Sequence, residues 1–167
     1  MGERVWIHMA SEVRQPTVEQ QANPLRRPAW ETGIVGGLLG GLVMGIVFSV
    51  LATPVLESAI PALYGLEGGT IGWAVHMSHS AVFGVVFAAV VSRPRVGPYA
   101  DSAAALLGLG LGYGAALWVV AAGVVMPVWL DAVGFAGAPP LPNFDPTSLL
   151  AHLVFGAVLG AAYWAMR

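Results

Sequence analysis

The sequence predicts an all-α polytopic membrane protein, a bundle of four transmembrane helices. Three observations predict it. The first is composition. Of 167 residues, 57% are hydrophobic and 10% are charged, and the mean hydropathy is +0.75. A soluble domain carries about 25% charged residues, so this chain has too little polar surface to cover itself in water. The second is where the charges fall. Uncharged runs of 25 residues separate Glu31 from Glu57 and Glu67 from Arg93; runs of 29 and 21 separate Asp101 from Asp131 and Asp145 from Arg167. A helix of about 20 residues crosses a hydrocarbon core of about 30 Å. The third is that these runs, such as Gly36–Leu51 and Ala103–Met126, are apolar on every face. Backbone groups in lipid must bond within a helix or a closed barrel, and barrel strands would alternate.

Composition also removes whole classes. Apolar surface is ample, so the bulk of the chain is not disordered. The 22 Gly follow no fixed period, which rules out a collagen-like chain. With no Cys there is no disulfide, iron–sulfur cluster, thiolate zinc site or thiol nucleophile.

Taken in order, residues 1–32 are expected to form a cytoplasmic tail. They are rich in Gln and Pro and have no apolar period. They do not read as a signal peptide, because the first apolar stretch begins only after residue 32 and is of full span length. Val5–Met9 is a short apolar patch, read either as a contact with a membrane surface or a partner or as part of a tail that is flexible throughout. A transmembrane domain 33–167 follows, with spans at about 33–54, 71–92, 103–128 and 147–166 and outer loops at 55–70 and 129–146.

All seven basic residues are Arg, and all obey one orientation. Arg4, Arg14, Arg26 and Arg27 precede the first span, Arg93 and Arg95 join the second to the third, and Arg167 follows the fourth. The other two loops carry only Glu57, Glu67, Asp131 and Asp145. Positive loops stay inside, so the sequence places the chain in the cell membrane with both termini cytoplasmic. Trp30, Tyr163 and Trp164 would anchor the inner interface and Trp73 and Trp129 the outer one; Trp118 falls mid-span and reads as packing. Asp145-Pro146-Thr147 reads as the start of span four, with Asp145 near the cap and Pro146 in the first turn.

Glycines supply the packing signal. Gly33, Gly37, Gly41 and Gly45 run at four-residue intervals along span one as a glycine zipper, joined by Gly36 and Gly40. Span three offers Gly108/Gly112 and Gly110/Gly114, and span four Gly156/Gly160. Helices in lipid associate by close approach over small residues. These grooves either pack the four helices together or, on span one, dock a different subunit.

The two halves also read as tandem two-helix repeats. Pro54 precedes His79 by 25 residues and Pro127 precedes His152 by the same number, with Phe83-Gly84 and Phe155-Gly156 close behind. A parallel repeat about an axis along the membrane normal would bring His79 and His152 to similar depth. Both outer loops have an apolar side that would cap the helices or rest on a partner.

His76, His79 and His152 fall within the spans, where no Asp, Glu, Lys or Arg does, and all three belong to the outer leaflet. Such residues mark functional sites by default. They are candidate ligands for a metal or a haem iron, candidate contacts for a quinone or a proton path, or packing residues bonded to hydroxyls and carbonyls. No carboxylate pair, Ser/His/Asp set or phosphate-binding loop points to an enzyme. The four Arg of the tail are balanced by Glu3, Glu12, Glu19 and Glu31, which argues against nucleic-acid binding.

His79–Gly84 and, one residue shorter, His152–Gly156, together with the Gly-rich first span, resemble small four-span prokaryotic integral membrane proteins of no assigned activity. The resemblance covers about 33–166 and implies a fold only. The function expected from the residues is that of a small non-catalytic subunit of a larger membrane complex, respiratory or energy-converting, whose partners are the lipid bilayer and other subunits or copies of itself. Two alternatives stand beside it: a metal- or haem-binding protein using His76, His79 and His152, and a small homo-oligomeric transporter or channel.

Overall fold

A computed structural model describes residues 27–167. The preceding tail, with its Val5–Met9 patch, lies outside the described residues. Four helices are long and apolar enough to cross a membrane: α1 (Ala29–Leu51), α2 (Gly69–Val91), α3 (Ala103–Ala132) and α4 (Pro146–Met166). No strand occurs among the described residues, and the chain is a four-helix bundle. The start of α1 and the end of α4 lie at one end of it, the terminal end. The two long connections, around residues 52–68 and 133–145, lie at the other, the loop end.

Helix starts follow local chemistry. The Ser102 hydroxyl accepts the Ala105 N–H at 3.1 Å and opens α3. Asp145 Oδ1 accepts the Ser148 N–H at 2.7 Å ahead of Pro146, as the sequence expects for α4. Two boundaries differ from expectation by four residues, the others by three or fewer. Helix α1 begins at Ala29, so Glu31 lies in its first turn. Helix α3 runs past Pro127 to Ala132 rather than stopping near 128. Proline lacks an N–H and crowds the carbonyl four residues back. Here the helix widens into π turns over Trp118–Val125 before Pro127 arrives. The Gly123 carbonyl that Pro127 cannot serve accepts the Asn143 N–H instead, at 2.9 Å.

Helix α1 packs against both α2 and α4, and α3 packs against α4, which gives the lateral order α2, α1, α4, α3. Glycine makes each crossing close. A Cβ on Gly84 would collide with the Gly33 carbonyl and the Gly37 Cα; one on Gly156 would collide with the Gly110 carbonyl and the Gly114 amide. Gly36 and Gly40 face Leu159 and Phe155 of α4, while Gly41 receives Ser80 and Gly45 the Trp73 ring of α2. Gly160 crosses over Leu106 and Gly110. These six glycines of α1 are thus all in contact with α2 or α4. A Cβ on Gly108 or Gly112, both expected as packing residues, would meet nothing within 4 Å among the described residues. They lie about 200° around α3 from Gly110 and Gly114, which make the contact with α4.

The two hairpins, α1–α2 and α3–α4, share one crossing. Gly84 over Gly33 and Gly37 matches Gly156 over Gly110 and Gly114. In that register the residue equivalent to His152 is Ser80, and the one equivalent to His76 is Ser148. His79 stands one residue from the equivalent position, hence about 100° around its helix. The bundle is not symmetric overall, since α1 meets α4 broadly while α2 and α3 do not form a matching contact. The buried core gathers where the four helices meet, around Phe87, Leu106, Phe155 and Leu159.

Candidate functional site

Because α2 and α3 stand apart at the loop end, a cavity of about 680 Å³ opens between them. Its back wall is Met44 and Phe48 of α1 and Phe155 of α4; its side walls are Phe83 of α2 and Leu117, Ala121 and Met126 of α3. On the terminal-end side of Phe83 and Leu117, Tyr113 ties α3 to α2. That hydroxyl donates to the Phe83 carbonyl at 2.9 Å, and the Tyr113 ring lies 5.4 Å from that of Phe87. Toward the loop end the cavity is roofed by both connections. The Trp129 indole N–H donates to the Leu63 carbonyl at 3.0 Å, and the Trp118 indole N–H donates to the Asp145 carbonyl at 3.1 Å. Phe144 rests against Trp118, with ring centres 5.1 Å apart. Trp129 therefore ties the two hairpins together rather than serving as an interface anchor alone. Trp118, mid-span as the sequence expects, reaches the residue that starts α4.

All three intramembrane histidines line this one cavity. His76 is buried, and its Nε2–H donates to the Gly41 carbonyl of α1 at 2.9 Å. Its ring sits edge-on between Phe48 and Trp73, each 6.1 Å away. His152 is buried on α4, where its Nδ1–H donates to the Ser148 carbonyl at 2.7 Å. His79 is half-buried, and its Nε2 shares a hydrogen bond of 2.7 Å with the Tyr64 hydroxyl. A neutral imidazole that donates through one nitrogen keeps a lone pair on the other. His76 and His152 are fixed in that way by backbone carbonyls, and each keeps an acceptor nitrogen with no partner among the described residues.

The arrangement does not gather metal ligands. Among the described residues no three His, Asp or Glu side chains stand close enough together to hold one ion. Asp145 lines the cavity but uses Oδ1 on the Ser148 amide. What the site offers is an apolar chamber with separate polar points: two imidazole acceptors, the His79–Tyr64 pair, and the Ser148 hydroxyl. Tyr64 and Asn143 were not legible as site residues. Each lies in a loop without period, and only the folding of the loops over the helix ends brings them there. Comparison with family models, curated proteins and solved structures finds no match to this chain.

Proposed function

We propose that this is a multi-pass protein of the cell membrane, with both termini in the cytoplasm, that binds an apolar small molecule bearing hydroxyl groups, of the quinol type. The orientation is supported by the positions of the seven Arg. The single observation that carries the binding reading is the convergence of His76, His79 and His152, drawn from two hairpins, on one largely apolar cavity. Ligand pockets combine apolar walls with a few placed polar groups in this way. A hydroxyl donor matches the imidazole acceptors on His76 and His152, and an apolar ring and tail match Phe48, Phe83 and Phe155.

Titration of the purified protein with a short-chain quinol, followed by Trp emission, tests the reading. Saturable binding is expected, weakened about tenfold or more by His152→Ala, the value of one buried hydrogen bond to a desolvated partner. Binding that does not saturate, or that is the same in His152→Ala and His79→Ala, sinks it.

A second reading, the small non-catalytic subunit of a larger membrane complex, is favoured by one observation. Gly108 and Gly112 present an open small-residue groove on the outward side of α3, the kind of surface over which helices approach in lipid. Gly108→Leu and Gly112→Leu would release such a partner on isolation in mild detergent. A wild-type protein that isolates as a partner-free monomer counts against it.

A further inference from the structure

At the terminal end, away from the histidine cavity, a second cavity of about 290 Å³ lies where the start of α1, the α2–α3 turn and the end of α4 meet. Its lining carries two cations, Arg27 and Arg167, beside Thr32, Ser92 and Tyr163. Neither Glu31 nor Asp101, the nearest acids in sequence, lines it. Arg167 is held in place from two sides: its guanidinium donates to the Ala100 carbonyl and lies 4.3 Å over the Trp164 ring. The N-terminus of α1 points here too. Pro28 offers it no side-chain cap, so its first-turn N–H groups have no side-chain acceptor among the described residues and carry the positive end of the helix dipole.

The decisive residue is Thr32. It is 1% exposed, and its hydroxyl is the one buried side-chain polar atom without a hydrogen-bond partner among the described residues. A helical threonine ordinarily bonds its hydroxyl back to the preceding turn, and a buried hydroxyl left without a partner is destabilising. Thr32 lines a cavity whose lining also includes Arg27, Arg167 and Ala29 at the start of α1. The group that would satisfy all of them is an oxyanion.

We propose that this cavity binds a phosphate group, held by Arg27 and Arg167 and by the hydroxyl of Thr32. Guanidinium groups bind phosphate oxygens by charge-assisted, often bidentate, hydrogen bonds, and the N-terminus of a helix favours the same anion. The site depends on the local geometry and not on what fills the histidine cavity. The phosphate belongs to an anionic lipid headgroup or to a free phosphate compound, and one experiment separates the two.

The full chain in an uncharged maltoside micelle is melted at constant ionic strength, with Trp emission as the readout, against dihexanoyl phosphatidylglycerol, inorganic phosphate and dihexanoylglycerol. A saturable rise in melting temperature is expected with the phosphatidylglycerol and none with the uncharged diglyceride. A rise with inorganic phosphate as well assigns the site to the phosphate alone; a rise with the lipid only assigns it to a headgroup. Arg27→Gln, Arg167→Gln and Thr32→Val should each weaken the apparent affinity about tenfold, as loss of one charge-assisted or buried hydrogen bond implies. Thr32→Val without ligand should melt no lower than wild type, because it removes a hydroxyl that has no partner. Arg27 is exposed, so Arg27→Gln decides the matter should Arg167→Gln fail to fold. No saturable rise with either phosphate compound, or an unchanged affinity in Arg27→Gln, overturns the proposal.

Discussion

At the residue scale, the three histidines are not equivalent, and their partners say how each will respond to substitution. His76 joins α2 to α1 through the Gly41 carbonyl and is buried. His152 bonds within its own helix. His79 joins α2 to the first loop through Tyr64. Interhelical hydrogen bonds in membrane proteins contribute about 0.6 to 2 kcal/mol. His76→Leu is therefore expected to lower unfolding stability by about 1 kcal/mol, whereas His152→Leu should lower quinol affinity with less effect on stability. Tyr64→Phe should leave the helices intact and free the first loop, seen as faster amide exchange over residues 55–66. Reversible unfolding in mixed micelles ranks the histidine variants; equal losses for His76→Leu and His152→Leu would contradict the assignment. The histidines were legible in the sequence as the ionisable groups within the spans. Their partners were not, because a backbone carbonyl such as that of Gly41 has no sequence signature and Tyr64 is placed only by the fold of its loop.

At the scale of elements, the glycine positions show where reading from sequence stops. Gly108/Gly112 and Gly110/Gly114 have the same spacing on the same helix. All four helices are apolar around their whole circumference, so no polar face marks which pair looks inward. The register of α3 on α4 chooses Gly110 and Gly114, and Gly108 and Gly112 stay open. Span positions were legible to within a few residues because charge gaps and caps are local features. The continuation of α3 past Pro127 was not, since it depends on the π turns and on Asn143 arriving from a distant loop. The packing leads to a paired expectation. Gly84→Leu drives a side chain into the Gly33 carbonyl and should cost about 1–3 kcal/mol or more. Gly112→Ala meets nothing and should stay within about 0.5 kcal/mol of wild type. Titration with dodecyl sulfate in mixed micelles distinguishes the two, and a Gly84→Leu variant as stable as Gly112→Ala would refute the close crossing of α1 and α2.

At the scale of the whole molecule, the order α2, α1, α4, α3 explains why there is a cavity. The two middle helices bind each other and one neighbour each through glycine, which leaves the outer pair to meet only across the front. There, Tyr113 joins α3 to α2 by its hydrogen bond to Phe83, and its ring packs at a tilt against Phe87 beside Tyr163. Above that level the hairpins are linked through the loops, by Trp129 to Leu63. The bundle is thus two closely packed hairpins joined along α1–α4, with Tyr113 as the lower tie and Trp129 as the upper one. Tyr113→Phe removes the lower bond while keeping the ring, and Trp129→Phe removes the upper. Since the chain has no Cys, spin labels can be placed at Val86 of α2 and Val119 of α3, both exposed. The distance distribution between them should broaden in each variant and most in the double variant. Labels at Val50 of α1 and Val86 of α2, within one hairpin, should report no change. A bound quinol that bridges the histidines of both hairpins should narrow the α2–α3 distribution again. If the α2–α3 distribution stays as narrow in the double variant as in the wild type, the hairpins are held by something other than these two ties, and the cavity is a fixed chamber rather than one whose width the ligand sets.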